Sequence, residues 1–388
     1  MADLQIDNLG KTFKGGHAAL AGISLDVADR EAVFLLGPSG AGKTTTLRLV
    51  AGLEEATTGR ILINRRDVTQ WTPRERNLAM VYDKHSLFPH LSVFENLAYP
   101  LRIRKLGEAA IRARIASVAE TLQIERLLER RPAQLSGGQQ QRVAIGRALV
   151  READCYLLDE PISHLDAQLR ARMRVEFKRL QRDFRATMLY VSHDQLEAMT
   201  MADRIVLINK GKIEQIAAPQ VLFDRPETLF AATFIGEPPM NVLKAELAET
   251  GGRFVLSIGG ALIGAGADWL SAGAPLAANR GYRIGLRPQH LVLAAPDDSR
   301  PGRVNGTVFA VETLGSRTIF DIETAGGMVR VMTSVDEARR HPRAIGAPIA
   351  FRVDPDFVYL FDAATGRTIR QARFTDEAGR QRVPARPV

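Results

Sequence analysis

The sequence predicts an α/β domain built on a mainly parallel sheet, followed by a smaller all-β domain of barrel type. Three observations carry this expectation. From residue 1 to about 235, strand-sized apolar runs alternate with helix-patterned segments, the pattern of strands joined by crossover helices. After Gly236-Glu237-Pro238-Pro239 the texture shifts to short β-rich runs divided by Gly, Pro and Asp, the punctuation of tight turns. A length of 388 residues also exceeds what one ordinary core organises.

In the first region, strands are expected at residues 32–36, 78–82, 155–158, 188–192 and 204–209. Ile111, Ile115, Val118 and Leu122 recur at helical spacing and give one apolar face. In the second region, the β-rich runs are 253–258, 282–286, 306–312, 318–322, 328–332 and 348–353, which read as a small barrel. The expected domains are therefore 1–235 and 236–373. The polar segment 374–388, with Pro384 and Pro387, reads as a disordered tail.

Composition narrows the setting. Hydrophobic residues make up 45% and charged residues 25% of the chain, ordinary shares for a globular protein. No run approaches the ~18 consecutive apolar residues needed to cross a bilayer. The start, MADLQIDNLG, has neither a basic head nor an apolar core, so no secretory signal is expected and the reading places the chain in the cytoplasm. Cys155 is the single cysteine; it excludes an intrachain disulfide and reads as a small core residue. The net charge of +8 comes from Arg scattered between Arg30 and Arg386. The β region lacks clustered aromatic and basic residues, so no direct nucleic-acid partner is expected.

The segment Gly37-Pro38-Ser39-Gly40-Ala41-Gly42-Lys43-Thr44 fits G-x-x-x-x-G-K-[ST], between the 32–36 strand and a helical pattern beginning at Thr45. Glycines let several backbone N–H groups turn toward phosphate oxygens, and the helix start adds partial positive charge. In such a loop Lys43 would neutralise the β- and γ-phosphates and the Thr44 hydroxyl would bind Mg²⁺. Asp159-Glu160 ends the 155–158 run. A carboxylate at a strand end beside a phosphate loop suits Mg²⁺, which points to Asp159. Glu160 then stands where a base can polarise the attacking water.

These residues, with four further segments, resemble the ABC ATPases, which are P-loop NTPases. Leu135-Ser136-Gly137-Gly138-Gln139 is similar to that family's signature sequence. Ser192-His193-Asp194 resembles the switch histidine, and Ser163-His164-Leu165-Asp166 the loop that crosses the dimer interface. Phe13 resembles the aromatic residue that stacks on adenine. The resemblance implies two subunits that sandwich two ATP molecules head to tail, with Ser136, Gly137, Gly138, Gln139 and Asp166 acting across the interface. The Ser136 helix start is itself an anion site, and its plainer reading is a helix cap. Ser192-His193-Asp194 is no hydrolase triad, because adjacent residues cannot present their side chains to one another in that geometry.

Asp83 departs from the pattern, since relatives usually carry Gln there. Asp83 can still offer oxygen to Mg²⁺, though as a shorter, negative group near a triphosphate. Tolerance accounts for it; the alternative is an asymmetric transporter in which a different ATPase keeps the Gln. Phe234-Ile235-Gly236-Glu237-Pro238-Pro239-Met240-Asn241 is similar to the linker of carbohydrate-importer ATPases of the maltose and glycerol-3-phosphate type. Gly285-Leu286-Arg287-Pro288-Gln289-His290 and Thr313-Leu314-Gly315-Ser316 resemble segments of that group's OB-like (TOBE) C-terminal domain.

The resemblance implies an ATPase at the cytoplasmic face of the inner membrane, peripheral, working with two transmembrane permease subunits and an extracytoplasmic solute-binding protein. It would act as a homodimer or beside a second ABC ATPase. The cargo would be a sugar, a glycerol-type polyol or a sugar phosphate. Alternatives are polyamine, sulfate or iron as cargo, or a soluble ABC ATPase outside transport. Leu87, Phe88 and Leu91 read equally as a docking groove for the permease and as local core.

Overall fold

Runs such as AVFLL and CYLLD, apolar on both faces, can only be strands covered on both sides, and they form the middle of the main sheet. The computed structural model describes residues 3–370 apart from 83–85, 164, 185, 251–252, 259, 266–280 and 296. Asp83, His164 and the expected tail 374–388 therefore lie outside the described residues. The chain divides into two compact units, Met1–Pro219 and Gln220–Val388.

The first unit runs β1 (Leu4–Thr12), β2 (Ala18–Val27), β3 (Ala32–Leu36), α1 (Lys43–Ala51), β4 (Thr58–Ile63), β5 (Arg66–Asp67), β6 (Leu78–Val81), α2 (Val93–Ile103), α3 (Glu108–Leu122), α4 (Gly137–Leu149), β7 (Cys155–Asp159), α5 (Ala167–Phe184), β8 (Met188–Ser192), α6 (Gln195–Met201), β9 (Arg204–Asn209) and β10 (Lys212–Ala217). Its main sheet has the order β10-β9-β3-β8-β7-β6. The five strands expected from the sequence are the parallel ones, and β10 turns back antiparallel on β9.

A second sheet, β2-β1-β4-β5, is antiparallel and was not among the expected strands. Asn8 takes a φ of 48° within β1, and the register shifts around it, so the alternation that marks a strand in sequence is broken there. Leu47 and Val50 of α1 share one core with Val33 and Leu35 of β3, Val191 of β8, and Leu4 and Ile61 of the second sheet. This core fixes α1 in place and with it the loop that leads into it. Ile111, Ile115, Val118 and Leu122 lie buried along α3 as their spacing predicts. Cys155 is buried too, and burial pushes its thiol up to about 12, in keeping with a core residue.

The second unit opens with the short helices α7 (Pro219–Asp224) and α8 (Leu229–Phe234). It continues as β11 (Asn241–Thr250), β12 (Arg253–Ile258), β13 (Ala261–Ala265), β14 (Tyr282–Leu286), β15 (Val292–Ala294), β16 (Arg303–Leu314), β17 (Arg317–Thr324), β18 (Gly327–Ser334), α9 (Val335–Ala338), β19 (Pro348–Arg352), β20 (Val358–Asp362) and β21 (Thr368–Arg370). Two antiparallel sheets, β13-β12-β11-β14-β20-β21 and β15-β19-β16-β17-β18, close on one core. Ile284, Leu286 and Leu360 meet Val308, Phe320, Val331 and Phe351 within it. The two sheets form the β domain that the turn-rich sequence predicts, with the short helices α7, α8 and α9 added to it.

The division falls after Pro219 rather than at 235, because residues 220–235 are tied to the β unit. The Leu229 N–H donates to Gly366 O at 2.7 Å, the Thr368 N–H to Glu227 O at 3.0 Å, and the Tyr359 hydroxyl to Asp224 O at 3.0 Å. Arg287 completes the anchor. Fully buried, it donates to Ile235 O at 2.7 Å and Phe223 O at 2.5 Å, and its guanidinium lies 3.8 Å from the Phe223 ring centroid. Burial lowers its pKa from the ordinary arginine value, but an arginine so placed keeps its charge, where it faces the negative carboxyl ends of α7 and α8.

Replacing Arg287 strands the buried carbonyl of Ile235 and the partly buried one of Phe223. Arg287→Met should therefore destabilise the second unit by about 2–4 kcal/mol. Chemical denaturation of the purified chain would measure this, and an unchanged unfolding midpoint would refute the anchor.

Candidate functional site

Parallel strands that end side by side bring their following loops together. The neighbours β3, β8 and β7 are followed by the glycine loop 37–42, by His193 and by Glu160. The loop needs glycine at two points. A Cβ on Gly37 would meet Ile208 O at 2.1 Å, and one on Gly42, at a φ of 105°, would meet Ala19 O at 2.7 Å. Gly42 also starts α1 with no side-chain cap, so the first amides of that helix, Lys43, Thr44 and Thr45, lack intrahelical acceptors. They are the donors that the loop motif requires for phosphate.

Lys43 is only 6% exposed. Its Nζ donates to Gly37 O at 2.8 Å and Pro38 O at 2.9 Å. An ammonium carries three donors; two serve the loop, and the third is available to an incoming oxygen. Burial lowers the Lys43 pKa, and the charges of Glu160 and Asp159 work against that shift. The Thr44 hydroxyl donates to Asp159 Oδ1 at 3.2 Å. Two hard oxygens thus lie together beside the phosphate loop, the donor chemistry that Mg²⁺ takes.

Glu160 adopts a φ of 45°, a left-handed conformation that costs a non-glycine residue roughly 1–2 kcal/mol. Local bonds hold it there. Its N–H donates to Val191 O at 3.0 Å, and its carbonyl accepts from Ser163 Oγ at 3.0 Å and from the Ser163 N–H at 3.3 Å. The turn aims the carboxylate at His193, whose Nδ1 lies 3.0 Å from Glu160 Oε2. Ser192 faces elsewhere: its Oγ donates to Glu197 Oε2 at 2.7 Å and accepts from the Asp194 N–H at 2.9 Å. The exclusion of a Ser-His-Asp triad agrees with this geometry. Glu197 is buried, accepts also from the Tyr190 hydroxyl at 3.3 Å, and has its pKa raised by burial. Sequence reading missed Glu197 and Tyr190, since nothing local to β8 signals a buried carboxylate five residues past Ser192.

The remaining expected residues lie in other loops. Phe13 sits in the β1–β2 hairpin, 37% exposed, with Lys11 Nζ 5.0 Å from its ring centroid. The start of β2 carries Leu20 and Ala19 against Gly42, so the hairpin borders the phosphate loop. Ser136 caps α4: its Oγ accepts from the Gln139 N–H at 3.4 Å, while Gln139 Oε1 accepts from the Ser136 N–H at 3.0 Å. Within one chain the signature thus serves as a helix cap. Its two glycines differ. A Cβ on Gly138 would run into Leu169 of α5 at 2.1 Å, whereas one on Gly137 would meet nothing within 4 Å. Asp166 caps α5 by accepting from the Leu169 N–H at 2.9 Å. Asp83 lies outside the described residues.

Comparisons with known proteins agree with this arrangement. The ABC transporter family matches residues 20–163, and the TOBE domain family matches residues 284–361. The sn-glycerol-3-phosphate import ATP-binding protein UgpC of Cereibacter sphaeroides is 46% identical over 371 residues, covering 95% of this chain and 100% of its own. The protein of the same name from Salmonella typhimurium is 41% identical, covering 95% of this chain and 100% of its own. Among solved structures, a post-hydrolysis dimer of the ATP-binding cassette MJ0796 bound to ADP and Pi is 29% identical. It has a TM-score of 0.51 and covers 56% of this chain and 98% of its own.

The two kinds of glycine should separate experimentally. Gly42→Ala combines a left-handed φ with a backbone clash and should cost about 2–4 kcal/mol of stability. Gly137→Ala projects into open space and should leave stability within about 0.5 kcal/mol of the parent. Thermal and denaturant unfolding of both variants checks the pair; equal losses would contradict the assigned packing.

Proposed function

The chain belongs to the ABC transporter family, among the ATP-hydrolysing subunits of carbohydrate-type importers, and on that premise we propose how its residues divide the work and which cargo it serves. The observation that carries this reading is the meeting of Lys43, Thr44, Asp159, Glu160 and His193 at the ends of β3, β7 and β8.

The loop from Gly37 to Thr45 wraps the triphosphate, with the amides at the start of α1 and the Lys43 ammonium as donors, and Phe13 covers the adenine. Thr44 and Asp159, together with Asp83, are the residues that would hold Mg²⁺, which when bound would supply charge that neutralises the triphosphate. Glu160 accepts a hydrogen bond from the attacking water and orients it toward the γ-phosphorus. His193 holds the Glu160 carboxylate through Nδ1, which leaves Nε2 to face the γ-phosphate. A second copy, related head to tail, adds Ser136, Gly137, Gly138 and Gln139 to the same phosphate, with Asp166 at the seam. The open face of Gly137 supports this assignment, because a close approach from outside needs a position without a side chain.

The partners are two permease subunits, which hold the chain at the cytoplasmic face of the inner membrane, and an extracytoplasmic solute-binding protein that delivers the cargo to them. A groove of about 820 Å³ between α1, β6 and α2 is lined by Leu53, Met80, Tyr82, Pro100 and Ile103. Leu53 and Ile103 are exposed there, and a short amphipathic helix of the permease fits such a surface. Phe88 packs on Tyr99 at 4.7 Å, so the Leu87–Leu91 stretch forms part of the local packing beside the groove. The proposed cargo is sn-glycerol-3-phosphate or a close sugar phosphate, supported by relatives that match from end to end.

Glu160→Gln should retain ATP binding and lose turnover by about 100-fold or more, read as phosphate release against equilibrium binding of a fluorescent ATP. Near-parental hydrolysis would refute the role of Glu160. Lys43→Ala should lower nucleotide affinity by about tenfold or more, and an unchanged binding isotherm would count against Lys43 as a phosphate ligand.

A further inference from the structure

We propose that Arg170 is a positioning residue that ties Ser163, Leu165 and Asp166 to the His193 loop and thereby keeps His193 on Glu160; this rests on the reading of Glu160 and His193 given above. Arg170 lies one helical turn past Asp166 and donates its N–H to Asp166 O at 2.8 Å. Its guanidinium then reaches in two directions. Nη2 donates to Leu165 O at 3.0 Å and to Ser163 O at 3.4 Å, while Nη1 donates to Asp194 Oδ2 at 3.5 Å. The other oxygen of Asp194 is committed to the start of α6, accepting from the Leu196 N–H at 2.7 Å and the Glu197 N–H at 3.3 Å.

The contacts close a ring. Glu160 is bonded to Ser163 through its carbonyl, Ser163 to Arg170, and Arg170 to Asp194. Asp194 is the chain neighbour of His193, and His193 returns to the Glu160 carboxylate. Each loop alone is a short turn, and Glu160 is held in a left-handed conformation that persists only where its surroundings over-determine it. A guanidinium with forked donors suits this role better than a point charge, because its two terminal nitrogens reach two carbonyls and a carboxylate at once. Arg170 touches neither nucleotide nor water in this scheme; it acts through Asp194 and His193. Any partner that presses on Asp166 also moves the backbone to which Arg170 is bonded. The ring therefore gives the interface loop a direct mechanical route to the Glu160–His193 pair.

The experiment uses the full chain assembled with its permease and compares the parent with Arg170→Ala, Arg170→Lys, His193→Ala and the double variant Arg170→Ala/His193→Ala. Arg170→Ala should lower kcat by about 10- to 100-fold, the scale of a misplaced catalytic group, with KM for ATP and fluorescent-ATP affinity within about threefold of the parent. Arg170→Lys should recover part of kcat, and the double variant should be no slower than His193→Ala alone. Parental kcat in Arg170→Ala, equal losses of kcat and ATP affinity, or additive losses in the double variant would each overturn the proposal. A Glu160→Gln control keeps the two readings apart. If it still turns over, the site assignment fails; if it is dead while Arg170→Ala is normal, only the ring fails.

Discussion

Everything in this structure that bears on chemistry depends on one buried cation held by its own loop. Lys43 opens α1 after a glycine turn, is buried, and is satisfied by the carbonyls of Gly37 and Pro38. A buried ammonium is tolerated only when it is bonded and electrostatically compensated. Asp159 and Glu160 supply the compensation from the end of β7. The same arrangement that makes Lys43 tolerable gathers the groups that an ATPase needs.

The hydrophobic core serves this arrangement. Leu47 and Val50 clamp α1 between the parallel and antiparallel sheets, so the helix start, and the amides that it leaves unbonded, cannot drift. The carboxylates ride on β7, all five residues of which are buried. The histidine follows β8, which is equally enclosed. Rigid strands thus carry the chemistry on short loops, and those loops are cross-tied by Ser163, Arg170 and Asp194. The signature helix belongs to a different logic: its cap is satisfied inside one chain and its one open glycine faces outward, an arrangement suited to completion by a second molecule.

Much of this was legible in the sequence, for physical reasons that can be named. Strands buried on both faces read as unbroken apolar runs, which is why residues 32–36 and 155–158 were recognisable. The glycine loop was legible because backbone that must approach a phosphate tolerates few side chains. The antiparallel sheet was not, since Asn8 and its bulge break the alternation of β1. Nor was the allegiance of residues 220–235, which is set by Arg287, a residue more than fifty positions away. The Glu160–His193 contact also lay beyond reach, because it depends on how two turns are aimed and not on what precedes them. Asp83, where the family resemblance leads one to expect Gln, lies outside the described residues.

The measurement that bears most directly on the account is a structure of the Glu160→Gln chain with its permease and Mg·ATP. A γ-phosphate in hydrogen-bond contact with Lys43 Nζ of one copy and with the Gly137 and Gly138 amides of the other is the expected result. A nucleotide bound away from the 37–45 loop, or seated there with the second copy's signature helix turned elsewhere, would contradict it.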